Sequence, residues 1–224
     1  MSTPNQQNSQ PTVFIIDDDD SVRKSLARLL STANIRTESF ASAEAFLARE
    51  DYNGIGVIIL DIRMSGLDGM ELHEQLIKLG SNLPIIFLSG HADIPTSVRA
   101  MKRGAMHFLT KPVGDIELLQ AVREALNTHT KRNNEIAEQD AIRAQVNKLT
   151  TRELEVMRHV ISGAINKQIA AQLDIAEKTV KVHRANVMKK VGAESIVDLV
   201  RLCNTLDITP LNISPKISST LLDD

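Results

Sequence analysis

Four consecutive carboxylates, Asp17-Asp18-Asp19-Asp20, follow directly on the apolar run Val13-Phe14-Ile15-Ile16. Like charges crowded in this way repel unless a cation or a proton offsets them. A second apolar run, Ile55 to Leu60, also ends in an acid, Asp61. Two apolar runs closed by carboxylates suggest a cradle for a hard divalent ion. For the tetrad taken alone, an acid-rich helix N-terminus that favours the dipole is an equal reading. Two further groups sit at the ends of apolar runs: Ser89 after Pro84-Ile85-Ile86-Phe87-Leu88, and Lys111 after His107-Phe108-Leu109-Thr110. Asp17, Asp18, Asp61, Ser89 and Lys111 together suit phosphoryl transfer. A carboxylate attacks phosphorus, a cation and a lysine neutralise the phosphoryl oxygens, and a hydroxyl hydrogen-bonds the bound group.

These residues need a scaffold that gathers run ends along one edge. The segments 12–16, 35–39, 55–60, 84–88 and 106–109 have strand character, and helical patterns lie near 20–33, 42–49, 69–79, 95–104 and 115–127. Alternation of this kind predicts an α/β fold, a doubly wound five-stranded parallel sheet with helices on both faces. In such sheets the ligand groups collect at the carboxyl ends of the strands. Gly66, Gly69, Gly80, Gly90 and Gly104 are expected between elements.

The chain has 224 residues, 42% of them hydrophobic, enough for one or two domains with aliphatic cores since tryptophan is absent. The single cysteine, Cys203, excludes an internal disulfide framework and has the surroundings of a packing thiol. No apolar run approaches the roughly 20 residues of a membrane span. Residues 1–11 lack the basic and apolar regions of a signal peptide, so a soluble cytoplasmic protein is expected. The net charge of −2 conceals an asymmetry: residues 11–127 carry 12 basic and 16 acidic groups, residues 149–206 carry 9 and 6. A basic second half is a candidate for nucleic acid.

That second half is helical in pattern. Residues 128–148 are polar and predict a helical linker, continuous with or separate from the helix before it. Thr150-Thr151-Arg152-Glu153 fits a capping box with Thr150 at the N-cap. A short helix from Asn166 to Leu173, a break at Asp174-Ile175-Ala176 and a basic helix from Glu177 to Val191 make a helix-turn-helix. Val180, Val187 and Val191 are expected to face inward, with Lys178, Lys181 and Asn186 on the exposed side. A last helix starts at Ser195, and residues 207–224 form a Ser/Thr/Pro-rich tail expected to be poorly ordered.

Residues 12–127 resemble the receiver domain of bacterial two-component response regulators, through Asp17-Asp18, Leu60-Asp61, Ser89-Gly90 and Thr110-Lys111-Pro112. The resemblance implies that Asp61 is the phosphoacceptor. It implies that Asp18, Asp61 and the Arg63 carbonyl ligate Mg²⁺, with Asp17 acting through water. Ser89 and Phe108 would be the switch residues, Lys111 would pair with the phosphoryl group, and the Lys111-Pro112 bond would be cis. The family often has Pro where this chain has Ser65, and Ala where it has Gly90, departures that bear on loop stiffness and pocket width.

Residues 149–206 resemble the LuxR-type effector domain of the NarL/FixJ group, through Leu149-Thr150-Thr151-Arg152-Glu153, Asn166-Lys167-Gln168-Ile169-Ala170 and Lys178-Thr179-Val180-Lys181-Val182-His183-Arg184. The family pattern implies base contacts from Lys181, Val182 and Arg184. It implies phosphate contacts from Lys167, Thr179, His183, Asn186 and Lys189. Asp174 stands where Gly is common and tolerates left-handed geometry. Ala176 replaces a usual Ser N-cap at a cost of about 1 kcal/mol. The two resemblances together imply a FixJ-like regulator rather than an enzyme. Its partners would be a sensor histidine kinase, promoter DNA and RNA polymerase. A phosphorylated homodimer would form through the face bearing Val98 and Met101.

Two rivals remain at this level. Asp17-x-Asp19-x-Ser21-Val22 also resembles the nucleophile loop of haloacid-dehalogenase-type phosphatases, although the later acidic pair of that family has no counterpart after Lys111. The C-terminal helices could also form a protein-binding module on a true receiver.

Overall fold

Alternation of side-chain direction along strands that are buried on both faces sets the architecture. The computed structural model describes residues 10–50, 52–90 and 94–211. Strands β1 (Thr12–Ile16), β2 (Arg36–Phe40), β3 (Gly56–Asp61), β4 (Ile85–Ser89) and β5 (His107–Thr110) form one parallel sheet in the order β2-β1-β3-β4-β5. Phe14, Ile16, Ile58, Leu60 and Phe87 point to one face, where α2 (Ala43–Leu47), α3 (Gly69–Lys78) and α4 (Ile94–Lys102) supply Phe46, Leu72, Leu76 and Ala100. Val13, Ile15, Val57, Ile59, Ile86 and Leu88 point to the other, against Leu26 and Leu30 of α1 (Asp20–Thr32) and Leu118 and Val122 of α5 (Asp115–Val146). A period of two along each strand thus builds both cores at once. The doubly wound sheet expected from the sequence is the one observed.

Gly69 departs from the expected pattern. It is the first residue of α3 rather than a connector. A Cβ there would lie 2.1 Å from the backbone oxygen of Asp61, so only glycine lets α3 start this close to the end of β3.

The residues from 128 onward continue α5 without a break to Val146. His129 is 3% exposed, and its Nδ1 accepts a hydrogen bond from the Gly56 N–H at 3.1 Å. Packing of α5 on the sheet therefore extends past 127. The chain divides into two compact units at Asn134/Glu135.

In the second unit, α6 (Thr151–Ile161), α7 (Asn166–Leu173), α8 (Glu177–Val191) and α9 (Ile196–Thr205) enclose a separate core that includes Val156, Met157, Ile169, Val180, Leu199 and Cys203. The Thr150/Glu153 capping box is formed, and Ser195 caps α9. The tail does not begin loosely at Asp207. Ile208 packs against the core, the Arg158 Nε donates to the Thr209 carbonyl at 3.0 Å, and the Leu211 N–H donates to the Arg158 carbonyl at 3.2 Å. Arg158 supplies both a donor and an acceptor, which holds the chain through 211. The rest of the predicted tail, 212–224, and residues 1–9 lie outside the described residues.

Candidate functional site

Strand register brings the chemistry-bearing residues together. Ile16 pairs with Leu60, so Asp17 and Asp61 leave neighbouring strands at the same edge. Asp61 pairs with Leu88 and Ser89 with Thr110, and the Lys111 N–H donates to the Ser89 carbonyl at 2.8 Å. The Lys111 ammonium donates to Asp17 Oδ2 at 2.7 Å and to Asp61 Oδ1 at 2.6 Å. The peptide bond that follows it, Lys111-Pro112, is cis as the resemblance implies. Asp17 and Asp61 are buried and Asp18 is exposed, yet oxygens of all three lie within 4.8 Å of one another.

The aspartate tetrad divides into two pairs. Asp17 and Asp18 enter the pocket. Asp19 is the N-cap of α1, accepting from the Ser21 N–H at 2.8 Å and the Val22 N–H at 3.4 Å. Asp20 pairs with Arg23 at 3.0 Å and with Lys24 at 2.6 Å. The helix N-terminus reading thus describes Asp19 and Asp20, while Asp17 and Asp18 lie with Asp61.

Two residues that the sequence did not single out as site residues hold the pocket acids. Arg23 Nη1 donates to the Asp17 carbonyl at 2.6 Å. Ser65 donates to Asp18 Oδ2 from its N–H at 3.0 Å and from its hydroxyl at 3.1 Å. The departure at Ser65 was the only signal for the second of these. Gly90 has room beside it among the described residues, since an added Cβ there would meet none of their atoms within 4 Å.

The electrostatics follow from burial and partners. Burial pushes the Asp61 carboxyl above its usual range, against the opposing pull of Lys111. Burial works against the Lys111 charge too, but hydrogen bonds to Asp17 and Asp61 outweigh it and hold the ammonium above the usual lysine range. The Ser65 N–H, the largest cause, draws the Asp18 carboxyl below its usual range. Oxygen donors of this number and charge fit a hard divalent cation, with Asp17, Asp18 and Asp61 able to hold it. The Arg63 N–H opposes the rise of the Asp61 carboxyl, the smallest of the causes, so the Arg63 peptide is near the set. Ser89 is buried at the edge of the pocket. Phe108 is half-buried, paired with Phe87 across β4 and β5, and packs on the core of the α3/α4 face.

In the helical unit, α7 and α8 have the bounds read from the sequence. Asp174 adopts φ 52°, ψ 53°, the left-handed geometry its side chain tolerates. Ala176 makes no side-chain cap. Val180, Val187 and Val191 are buried, which turns Lys178, Lys181, Val182, Ala185 and Lys189 outward together. Thr179, Asn186 and Lys167 are exposed as well. Val182 is 53% exposed on this outward face. His183 is half-buried. Arg184 Nη1 donates to Asn166 Oδ1 at 2.6 Å, tying α8 to the start of α7. Lys190 donates to Glu153 at 2.6 Å and ties α8 to α6.

Residues 13–123 match the model of the response regulator receiver domain, and residues 147–203 match that of the LuxR family of bacterial regulatory proteins. The chain is 40% identical over 199 residues to the response regulator protein TmoT of Ectopseudomonas mendocina, covering 89% of this chain and 90% of that protein. It is 41% identical over 191 residues to the transcriptional regulatory protein FixJ of Rhizobium meliloti (strain 1021), covering 85% and 94%. Among solved structures, the response regulator StyR superposes with a TM-score of 0.81 at 43% identity, over 88% of this chain and 99% of that one.

Proposed function

Because this chain belongs to the response regulators that join a receiver domain to a LuxR-type DNA-binding domain, we propose that its DNA binding is controlled by a phosphoryl group carried on Asp61. The chain is a transcriptional regulator and not an enzyme. The proposed division is a receiver over 12–127, a helical linker over 128–148 and an effector domain over 149–206.

The observation that carries the reading is the Lys111 ammonium bridging Asp17 and Asp61 beside Asp18. A carboxylate oxygen of Asp61 attacks the phosphorus of a phosphohistidine on a sensor histidine kinase. The new O–P bond forms as the P–N bond breaks, and the electron pair leaves on the imidazole. Lys111 pairs with a phosphoryl oxygen as the negative charge at Asp61 grows. Asp18, Asp61 and the Arg63 carbonyl would hold Mg²⁺, with Asp17 supporting it through water, and the ion would supply positive charge against the phosphoryl oxygens. Ser89 hydrogen-bonds the phosphoryl group, and Phe108 follows its movement inward.

The altered face of α4 and β5 then pairs two copies through Val98 and Met101, which are 45% and 47% exposed. Paired α8 helices enter successive major grooves. Lys181 and Val182 meet base edges, Val182 through a thymine methyl. Lys167, Lys178, Thr179, His183, Asn186 and Lys189 contact phosphates. Arg184 acts by holding α7 and α8 in register. RNA polymerase is the partner at the promoter. Among the described residues no helix is long and apolar enough to cross a membrane, in keeping with a cytoplasmic protein.

The test is incubation with Mg²⁺ and acetyl phosphate followed by mass mapping. A single base-labile adduct on Asp61, absent in Asp61→Asn, is expected, with tighter binding to promoter DNA. An adduct on Asp17, or none, overturns the assignment.

A further inference from the structure

A cleft of about 330 Å³ lies at the opposite end of the sheet from the carboxylates. It falls among the end of α3, the connection into β4, the α4–β5 turn and the stretch of α5 from Thr128 to Arg132. Its volume falls within the range of pockets that hold small organic ligands.

The polar lining is one-sided. No acidic residue lines the cleft among the described residues. Two arginines do. Arg103 is paired with Glu74, whereas Arg132 has no ion pair or hydrogen bond among the described residues. The cleft therefore holds one uncompensated positive charge.

One buried imidazole adds hydrogen-bonding capacity and a second closes the floor. His73 is 4% exposed and stands edge-on to Phe87 with centroids 5.5 Å apart; its Nδ1 is enclosed, without a hydrogen-bond partner among the described residues, so it shapes the floor rather than meeting a ligand. A neutral imidazole carries one donor and one acceptor, and leaving them unpaired in a protein interior costs free energy. His129 accepts from Gly56 on Nδ1, which leaves the proton on Nε2. Burial, the largest cause, pulls both imidazoles below the usual histidine range, so both are neutral near pH 7. The Thr128 hydroxyl is a further donor in the lining. Leu83, Pro84 and Met106 form an apolar wall.

We propose that this cleft is a binding site for a small organic carboxylate. Arg132 pairs with its oxygens, the neutral donors complete their hydrogen bonds, and its apolar body lies on the Leu83–Met106 wall. One net positive charge with neutral donors matches a monoanion. The apolar wall favours an organic carboxylate over inorganic phosphate, which has no apolar part to bury. The proposal is independent of the chemistry at Asp61.

The probe is sodium benzoate, titrated into the full ¹⁵N-labelled chain, with benzyl alcohol and inorganic phosphate in parallel. Saturable amide shifts at Asn82, Gly104 and Met106 are expected with benzoate and not with benzyl alcohol. Arg132→Gln, at an exposed position that does not threaten folding, should weaken benzoate about tenfold, the scale of one lost charge-assisted contact. His73→Phe keeps a ring against Phe87 and should leave benzoate binding within about twofold of the parent. Shifts that never saturate with benzoate, a response to phosphate alone, or an unchanged titration in Arg132→Gln would overturn the proposal.

Discussion

Ser65 donates twice to a single oxygen of Asp18, from its N–H at 3.0 Å and its hydroxyl at 3.1 Å. A proline at this position has no N–H and no hydroxyl, so it could make neither bond. The serine thus replaces ring stiffness with a latch on an exposed pocket acid. Ser65→Pro is expected to raise the Asp18 carboxyl toward its ordinary value of 3.8. Ser65→Ala keeps the N–H, the larger cause, and should raise it less. A depressed carboxyl contributes stability above its unfolded value and loses it as pH falls through the folded one. Carboxyl ¹³C shifts followed against pH without metal measure this, and an Asp18 titration indifferent to both changes would dismiss the latch.

Lys111 and Asp61 should respond to substitution with opposite signs. Lys111→Met leaves Asp17 and Asp61 facing each other without a counter-charge. Removing one partner of a fully buried pair costs roughly 3–5 kcal/mol, and partial exposure of the lysine reduces this to about 2 kcal/mol here. Asp61→Asn removes a carboxyl whose charged form burial disfavours. Because its folded value is raised, its ionisation subtracts stability as pH rises from about 3.8 through that value. Amide protection in β3 at neutral pH should therefore fall in the first variant and rise in the second, and a fall in both would contradict the charge balance derived above.

The effector unit has its own acid limit. Hydrogen bonds from Lys190 and from the Thr150 N–H draw the Glu153 carboxyl down from 4.5 to about 2. Its contribution is complete above pH 4.5 and disappears as pH falls toward 2. Glu153→Gln keeps an acceptor for the capping box but loses the charge partner of Lys190. Protection of the α6 and α8 amides should be lower in this variant at pH 7 and equal to the parent near pH 2. A difference that persists at pH 2 would place the effect in the cap rather than in the ion pair.

Arg184 and Asn166 should behave as a unit in DNA binding. Their 2.6 Å hydrogen bond joins α8 to α7, so Arg184→Ala and Asn166→Ala are expected to weaken binding similarly, and the double substitution no further. Lys181→Ala removes a charge from the outward face instead. It should cost about 1–3 kcal/mol of binding to the promoter and relax the preference at the base that Lys181 meets. Full additivity of Arg184 and Asn166 would return Arg184 to the role of an independent DNA contact.

Local patterning determined a large part of this protein. Apolar runs placed each strand within a residue of its observed start, because a period of two needs no distant partner to be read. The bounds of α7 and α8, the Thr150/Glu153 box and the inward valines of α8 followed from helical spacing and capping chemistry, which are likewise local. What the tertiary structure alone decided are pairings between residues far apart in the chain. Pairing of Ile16 with Leu60 and the start of α1 at Asp20 divided one aspartate run into two pocket acids and two helix-end acids. The Gly56–His129 hydrogen bond joins residues 73 positions apart and extends the packing of α5 beyond the expected linker boundary. Ser65 meeting Asp18, Arg184 meeting Asn166 and Arg158 holding Thr209 are of the same kind. Side-chain type limits which bonds such residues can make, but only the packed backbone sets which partner comes within reach.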